Sequence, residues 1–272
     1  NKSLLIAVLF LFSCDKEITD AELQEILVPF KQQQKLLADK IISCFENNSP
    51  IIQYGYIEDL NDGRGYTAGK AGFTTATGDL LAVVQKYTEL QPVNSLSQFI
   101  PLLQSLADSV SSSTSGLENL PAAWANSVTN SKFIDAQNFI SDLYYYNPAV
   151  QYCKELGLKF PVSLLCIYDC CIQHGDGDDP DGLNAIINQT KSHFGGSPST
   201  GVDEIKWILK FNEIRTSILL NPHNTSTQQE WSESVGRVVS LNKLIQIDKN
   251  FNLTQTPIQI NPFGTNHIIH LQ

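Results

Sequence analysis

The chain contains no methionine, not even at its first position, and is expected to start past its initiator. Basic residues are also scarce, with 18 Lys and Arg against 28 Asp and Glu, for a formal net charge of −10 and a pI near 4.9. Phosphate backbones need a lysine- and arginine-rich face, so nucleic acid is excluded as a partner and a cationic ligand fits better. The apolar run from Leu4 to Phe12 is too short to span a bilayer. Six cysteines, reduced to five if Cys14 is lost or acylated, cannot all pair within the chain, so this is no disulfide scaffold.

What is present is a globular composition, 42% hydrophobic and 17% charged, over 272 residues. That length suits one large domain or two closely packed lobes. One lysine ahead of the apolar run gives residues 1–14 the form of a secretion signal, with the body expected at 18–272. Leu11 to Cys14 equally fit a lipobox, in which Cys14 would be acylated and anchor the protein to a membrane surface. Both readings export the protein. Sequons occur at Asn47, Asn188, Asn224 and Asn252, without meaning in a bacterium.

Apolar periodicity predicts a mostly helical chain. Thr19 and Glu22 have capping-box spacing for a short first helix. In a second, Leu37, Ile41 and Phe45 form one buried stripe before Asn47 to Pro50 stop it, which leaves Glu46 where the helix runs out. Ile51 to Ile57 alternates as a short strand, and helix resumes at Asp79 as far as Pro92. Further helices are expected at about 95–109, 131–143, 148–156, 161–174, 181–193, 202–220 and 229–241, with a serine-rich surface loop at 109–115. From about Leu244 the pattern turns extended and is expected to close over the body.

Tyr56 to Asp79, YIEDLNDGRGYTAGKAGFTTATGD, sets Glu58, Asp59, Asp62 and Asp79 among glycines, with few large apolar side chains. Carboxylates on glycine-rich turns form the floor of an acidic cleft rather than a core. Two ligand signatures fail here. Gly63, Gly65 and Ala68 fit a dinucleotide fingerprint, but Asp62 would repel a pyrophosphate and no long buried strand precedes it. Asp59, Asn61 and Asp62 hint at a calcium loop, but Lys70 stands where a bidentate carboxylate is needed. Cys166, Cys170 and His174 share a helix face, yet their segment reads as a core helix and the cysteines as small apolar groups, so no metal is assigned. His174, at that helix's end, is expected to face the cleft.

Glycosidic hydrolysis needs one carboxylic acid to protonate the leaving oxygen and a second carboxylate to activate water or attack. Glu46, flanked by Phe45 at a helix end, has a half-apolar setting that keeps a proton ready to give, whereas Asp62, in a turn with amide donors, stays ionised. Spacing alone favours the plainer reading of both as helix-end or turn-capping acids.

With FENN upstream, the block from Tyr56 to Asp79 resembles glycoside hydrolase family 46 chitosanases. The resemblance continues through KYTELQP at 86–92, NPAV at 147–150 and YDCCIQHGDGDDP at 168–180. It implies a predominantly helical α+β, two-lobed lysozyme-like fold with a small β-region, and a secreted, monomeric, inverting endo-chitosanase without cofactor. Residue by residue, it makes Glu46 the general acid, Asp62 the general base and Thr67 the holder of the attacking water. Asp79 would grip a glucosamine ammonium, and Tyr56, Arg64 and His174 would line the cleft. Asp169 and Arg215 would belong to a buried ion cluster whose third member, an arginine, has only Arg237 as a loose counterpart. The stretch between Glu46 and Asp62 is about two residues short of the family's usual length, and Asp176 stands at a usual proline. A hydrolase of chitin or peptidoglycan, or a non-catalytic binder of cationic polysaccharide, is the competing reading.

Overall fold

The structure is a computed structural model that describes residues 30–271. The leader, Cys14 and the helix expected near Thr19 and Glu22 lie outside the described residues. Two separate apolar cores organise the chain.

The larger core is built around α1 (Gln32–Asn47), α6 (Asn147–Leu156), α7 (Pro161–His174), α8 (Leu183–Phe194), α9 (Glu204–Leu220) and α11 (Val235–Gln246). Helix α7 is apolar on nearly every face, and every residue from Val162 to Cys171 is buried, as expected of a central helix. On α1, Leu37, Ile41 and Phe45 form the anticipated stripe against it. Antiparallel strands β4 (Ile258–Ile260) and β5 (His267–Ile269) close over α1, although Leu244 to Gln246 still belong to α11.

The smaller core lies under a three-stranded antiparallel sheet, β1 (Ile57–Asp59), β2 (Tyr66–Ala68) and β3 (Phe73–Thr74), packed with α2 (Asp79–Leu90), α3 (Ile100–Asp108), α4 (Leu120–Ser127) and α5 (Ser131–Ser141). Trp124 meets Phe133 edge-on at 4.8 Å, and Tyr87 meets it at 5.2 Å. The glycine-rich block is therefore more than a cleft floor. It buries Ala68, Phe73, Thr74 and Thr75. Gly69 (φ 70°) abuts Gln137 and Trp124, where a Cβ would collide, so the turn lies directly on the core.

Three expectations are corrected. Residues 51–56 are not a strand, because the carbonyl of Tyr54 accepts from the Trp124 indole (3.0 Å) and the Gln137 amide (2.8 Å); pairing starts only at Ile57. Helix α4 went unforeseen, since eight residues show too little of a 3.6-residue period. The helix expected at 229–241 is two, α10 (Gln228–Glu233) and α11, meeting at Ser234. The passage back to the larger core is a π-turn, Asp142–Tyr146, and its Tyr145 packs against both cores.

Candidate active site

A cleft of about 400 Å³ opens between the two cores. Its walls include Glu46, Tyr56, Arg64, Thr67 and Asp79, which span 33 positions of sequence yet share one space. Glu46 comes from the last turn of α1, which Asn48 ends in a left-handed conformation. Thr67 lies on the middle strand, and its buried Oγ1 has no hydrogen-bond partner. Asp79 opens α2, with its Oδ1 accepting from the backbone N–H of Thr74 (2.6 Å) and Leu80 (3.0 Å) and from the Thr77 hydroxyl (2.7 Å). Burial pushes the Asp79 carboxyl above its ordinary range, and these bonds only partly oppose it. Tyr56 donates to Glu58 at 3.0 Å.

Asp62 occupies the exposed turn between β1 and β2, at the rim rather than among the residues that line the cleft. Its Oδ1 accepts from the Arg64 backbone N–H (3.0 Å), and its Oδ2 from the guanidinium (2.6 and 2.9 Å). Partial desolvation works against ionisation, but Arg64 outweighs it and holds the Asp62 carboxyl below its ordinary range.

Glu46 does not sit in half-apolar surroundings. Its Oε1 pairs with Arg237 at 2.7 Å, and Arg237 pairs in turn with Asp169 at 2.6 Å. Asp169 also pairs with Arg215 at 2.7 Å, both side chains being fully buried. Arg237 thus supplies the third member of the ion cluster and carries it through to the carboxylate at the cleft. Burial opposes the charge on Asp169, yet Arg237 and Arg215 hold its carboxyl below the usual range. Asp169 lies between the two guanidinium groups, and this pairing is what makes their burial tolerable.

His174 is corrected in position. It is 7% exposed, does not line the cleft, and has both ring nitrogens engaged, Nε2 by Arg215 (3.2 Å) and Nδ1 with the Asp181 carbonyl (2.8 Å). Burial, then the charge of Arg215, pushes it down to about 3, so it stays neutral through the acid range. The five described cysteines are buried and unbridged, with Cys166 and Cys170 pushed up to about 12 by burial. Sequence reasoning missed Tyr145, Thr74, Thr77 and Ile172 in the cleft wall. Only the aromatic run at 144–146 hinted at Tyr145, because membership of the wall depends on how two distant cores face each other.

A small sheet and a helical body, with carboxylates on both sides of the groove between them, define a lysozyme-like glycoside hydrolase. The comparisons give the family: a model of glycosyl hydrolase family 46 matches residues 40–258, and the chain belongs to that family. It is 45% identical to a chitosanase of Bacillus subtilis (strain 168) over 86% of this chain and 84% of the relative. It is 36% identical to a chitosanase of Streptomyces sp. (strain N174) over 69% of this chain and 67% of the relative. A GH46 chitosanase of Gynuella sunshinyii in complex with chitotetraose superposes with a TM-score of 0.81 at 48% identity, covering 90% of this chain and all of that one.

Proposed function

We propose that the protein is an endo-chitosanase that hydrolyses β-1,4 links between glucosamine units with inversion. The observation that carries this reading is that Glu46, Thr67 and Asp79 line one cleft. Glu46, its Oε1 fixed by Arg237, donates a proton to the leaving oxygen through Oε2, and the guanidinium stabilises the carboxylate left behind. Asp62 takes the proton of the attacking water, and the unpartnered hydroxyl of Thr67 orients that water. Asp79 keeps Oδ2 clear of the bonds made by Oδ1 and pairs it with a glucosamine ammonium, which selects free amines over acetamides. A groove in a chain of charge −10 draws a polycation along its length. The relatives support the substrate, for a Bacillus subtilis MY002 chitosanase variant with a TM-score of 0.81 to this chain is complexed with six GlcN.

Asn47 lines the same cleft, so a glycan there would fill the substrate's space; it is expected to be unmodified. Export follows from the apolar run Leu4 to Phe12, and the mass of the mature N-terminus distinguishes a cleaved signal from acylated Cys14.

The deciding experiment incubates the protein with chitosans of graded acetylation, chitin and cell-wall material, following product size and, by NMR, the anomer first formed. Rapid shortening of poorly acetylated chitosan to α-products is expected. Cleavage of chitin or cell wall in preference, or β-products, overturns the reading.

A further inference from the structure

Behind the cleft floor lies a second chain of charges, buried at Lys70 and Asp39, that the proposed chemistry leaves unused. Lys70 stands in the turn between β2 and β3, flanked by Gly69, Ala71 and Gly72, which line the cleft. Its side chain points away from that cleft and is only 5% exposed. Lys70 Nζ donates to Asp39 Oδ2 on α1 (3.0 Å) and to Asn138 Oδ1 on α5 (3.0 Å), while its backbone N–H donates to Gln137 (3.1 Å). Asp39 also pairs with Lys35 at 3.0 Å and accepts from the Tyr168 hydroxyl at 3.3 Å. Lys35 pairs with Asp142 at 2.9 Å. Asn138 also accepts from the Tyr54 hydroxyl at 3.0 Å.

The route of the backbone gives this chain of contacts its meaning. The polypeptide leaves the larger core after α1, through the segment that holds Tyr54, and returns through the π-turn that begins at Asp142. Both crossings are therefore tied to Asp39 and Lys70. Asp39 lies two helical turns before Glu46 on the same helix face region, and Lys70 lies just beyond Thr67 on the sheet. A desolvated ion pair is satisfied at one separation only, whereas apolar contacts slide. Burial pushes the Lys70 ammonium below its ordinary range, and Asp39 only partly offsets this.

Resting on the hydrolytic reading above, we propose that Lys70 and Asp39 form a clasp that sets the separation between the helix carrying Glu46 and the sheet carrying Thr67. Both are positioning residues. They act through α1 and the β2–β3 turn, and touch neither substrate nor water.

The test compares Lys70→Met, Asp39→Asn, their double variant and Lys70→Arg in the full chain. It measures steady-state kinetics on chitosan and native hydrogen exchange of residues 66–75 without substrate. Each charge-removing single is expected to lower kcat about tenfold with KM within about threefold, because misplacement costs turnover more than binding. The double should lose less than the product of the singles, since the Lys70–Asp39 contact is broken in both. Lys70→Arg, which keeps the cation, should recover part of kcat, and exchange at 66–75 should quicken in both singles. A folded Lys70→Met with wild-type kcat, or a double whose loss is the product of the singles, overturns the clasp. Where Lys70→Met fails to fold, Asp39→Asn and Lys70→Arg are read by the same criteria. If the wild-type protein leaves chitosan intact, the hydrolytic reading falls, and unchanged exchange at 66–75 in the singles separately overturns the clasp.

Discussion

In the larger lobe Glu46 is held from behind by Arg237, Asp169 and Arg215, drawn from three helices and almost wholly withdrawn from water. In the smaller lobe Asp62 sits on an exposed turn and is fixed by Arg64, two residues along the chain. One carboxylate is placed by tertiary packing, the other by local geometry. In the proposed reaction Glu46 is the proton donor, which must keep its aim while its charge changes, and buried counter-charges give it a fixed environment. The proposed base, Asp62, would have to meet water and a long polymer, so an open turn suits it.

The comparison breaks first at the carboxylates themselves. Glu46→Gln and Asp62→Asn are each expected to lower kcat on chitosan by about 10²–10⁴, the span of general acid and base catalysis, with unchanged thermal melting. Substantial turnover in folded Glu46→Gln would remove it as the acid.

The supports should then separate the lobes. Asp169→Ala strands two buried guanidinium groups and should cost about 3–5 kcal/mol in denaturant unfolding. Arg64→Ala breaks a solvent-exposed pair and should leave stability within about 1 kcal/mol. Its effect falls on the pH profile: without Arg64 the Asp62 carboxyl rises toward its ordinary range, so the acid limb of kcat/KM should move to higher pH. An acid limb that stays in place would show that Arg64 does not tune the base.

A smaller effect belongs to the floor of the smaller lobe. Asp79→Asn should raise KM for chitosan while lowering kcat less, at about 1.5–3 kcal/mol in kcat/KM, the worth of a hydrogen bond to a charged group. A kcat loss without a KM change would place Asp79 in the chemistry instead.

The last effect concerns His174 and is confined to acid pH. Its folded pKa of about 3 lies below the ordinary 6.5, so the unfolded chain binds the extra proton and stability is lost as pH falls from about 6.5 toward 3. His174→Gln should flatten the slope of melting temperature in that window. An unaltered slope would mean that His174 is not held neutral by burial.

Much of this was legible beforehand where a feature is local. The α1 stripe of Leu37, Ile41 and Phe45, the bounds of α7, and the acidic block with its turns all follow from periodicity and glycine placement. Residues 51–56 misled because their alternation was real while Tyr54's carbonyl was taken by side chains about 70 and 83 residues away. His174 misled because a helix end implies exposure, whereas Trp231, edge-on to its ring at 4.8 Å, Arg215 and the Asp181 loop bury it.

By itself the sequence determined the helical character, the acidic cleft floor and the family pattern, because short-range backbone preferences and residue chemistry are written in neighbouring positions. Only the tertiary structure decided that Arg237 reaches Glu46 from 191 positions away, that Thr67 lines the cleft with its hydroxyl unpartnered, and that Lys70 faces Asp39 behind it. Those are meetings of side chains from different elements, and their separation is fixed by how two cores pack, which no local pattern encodes.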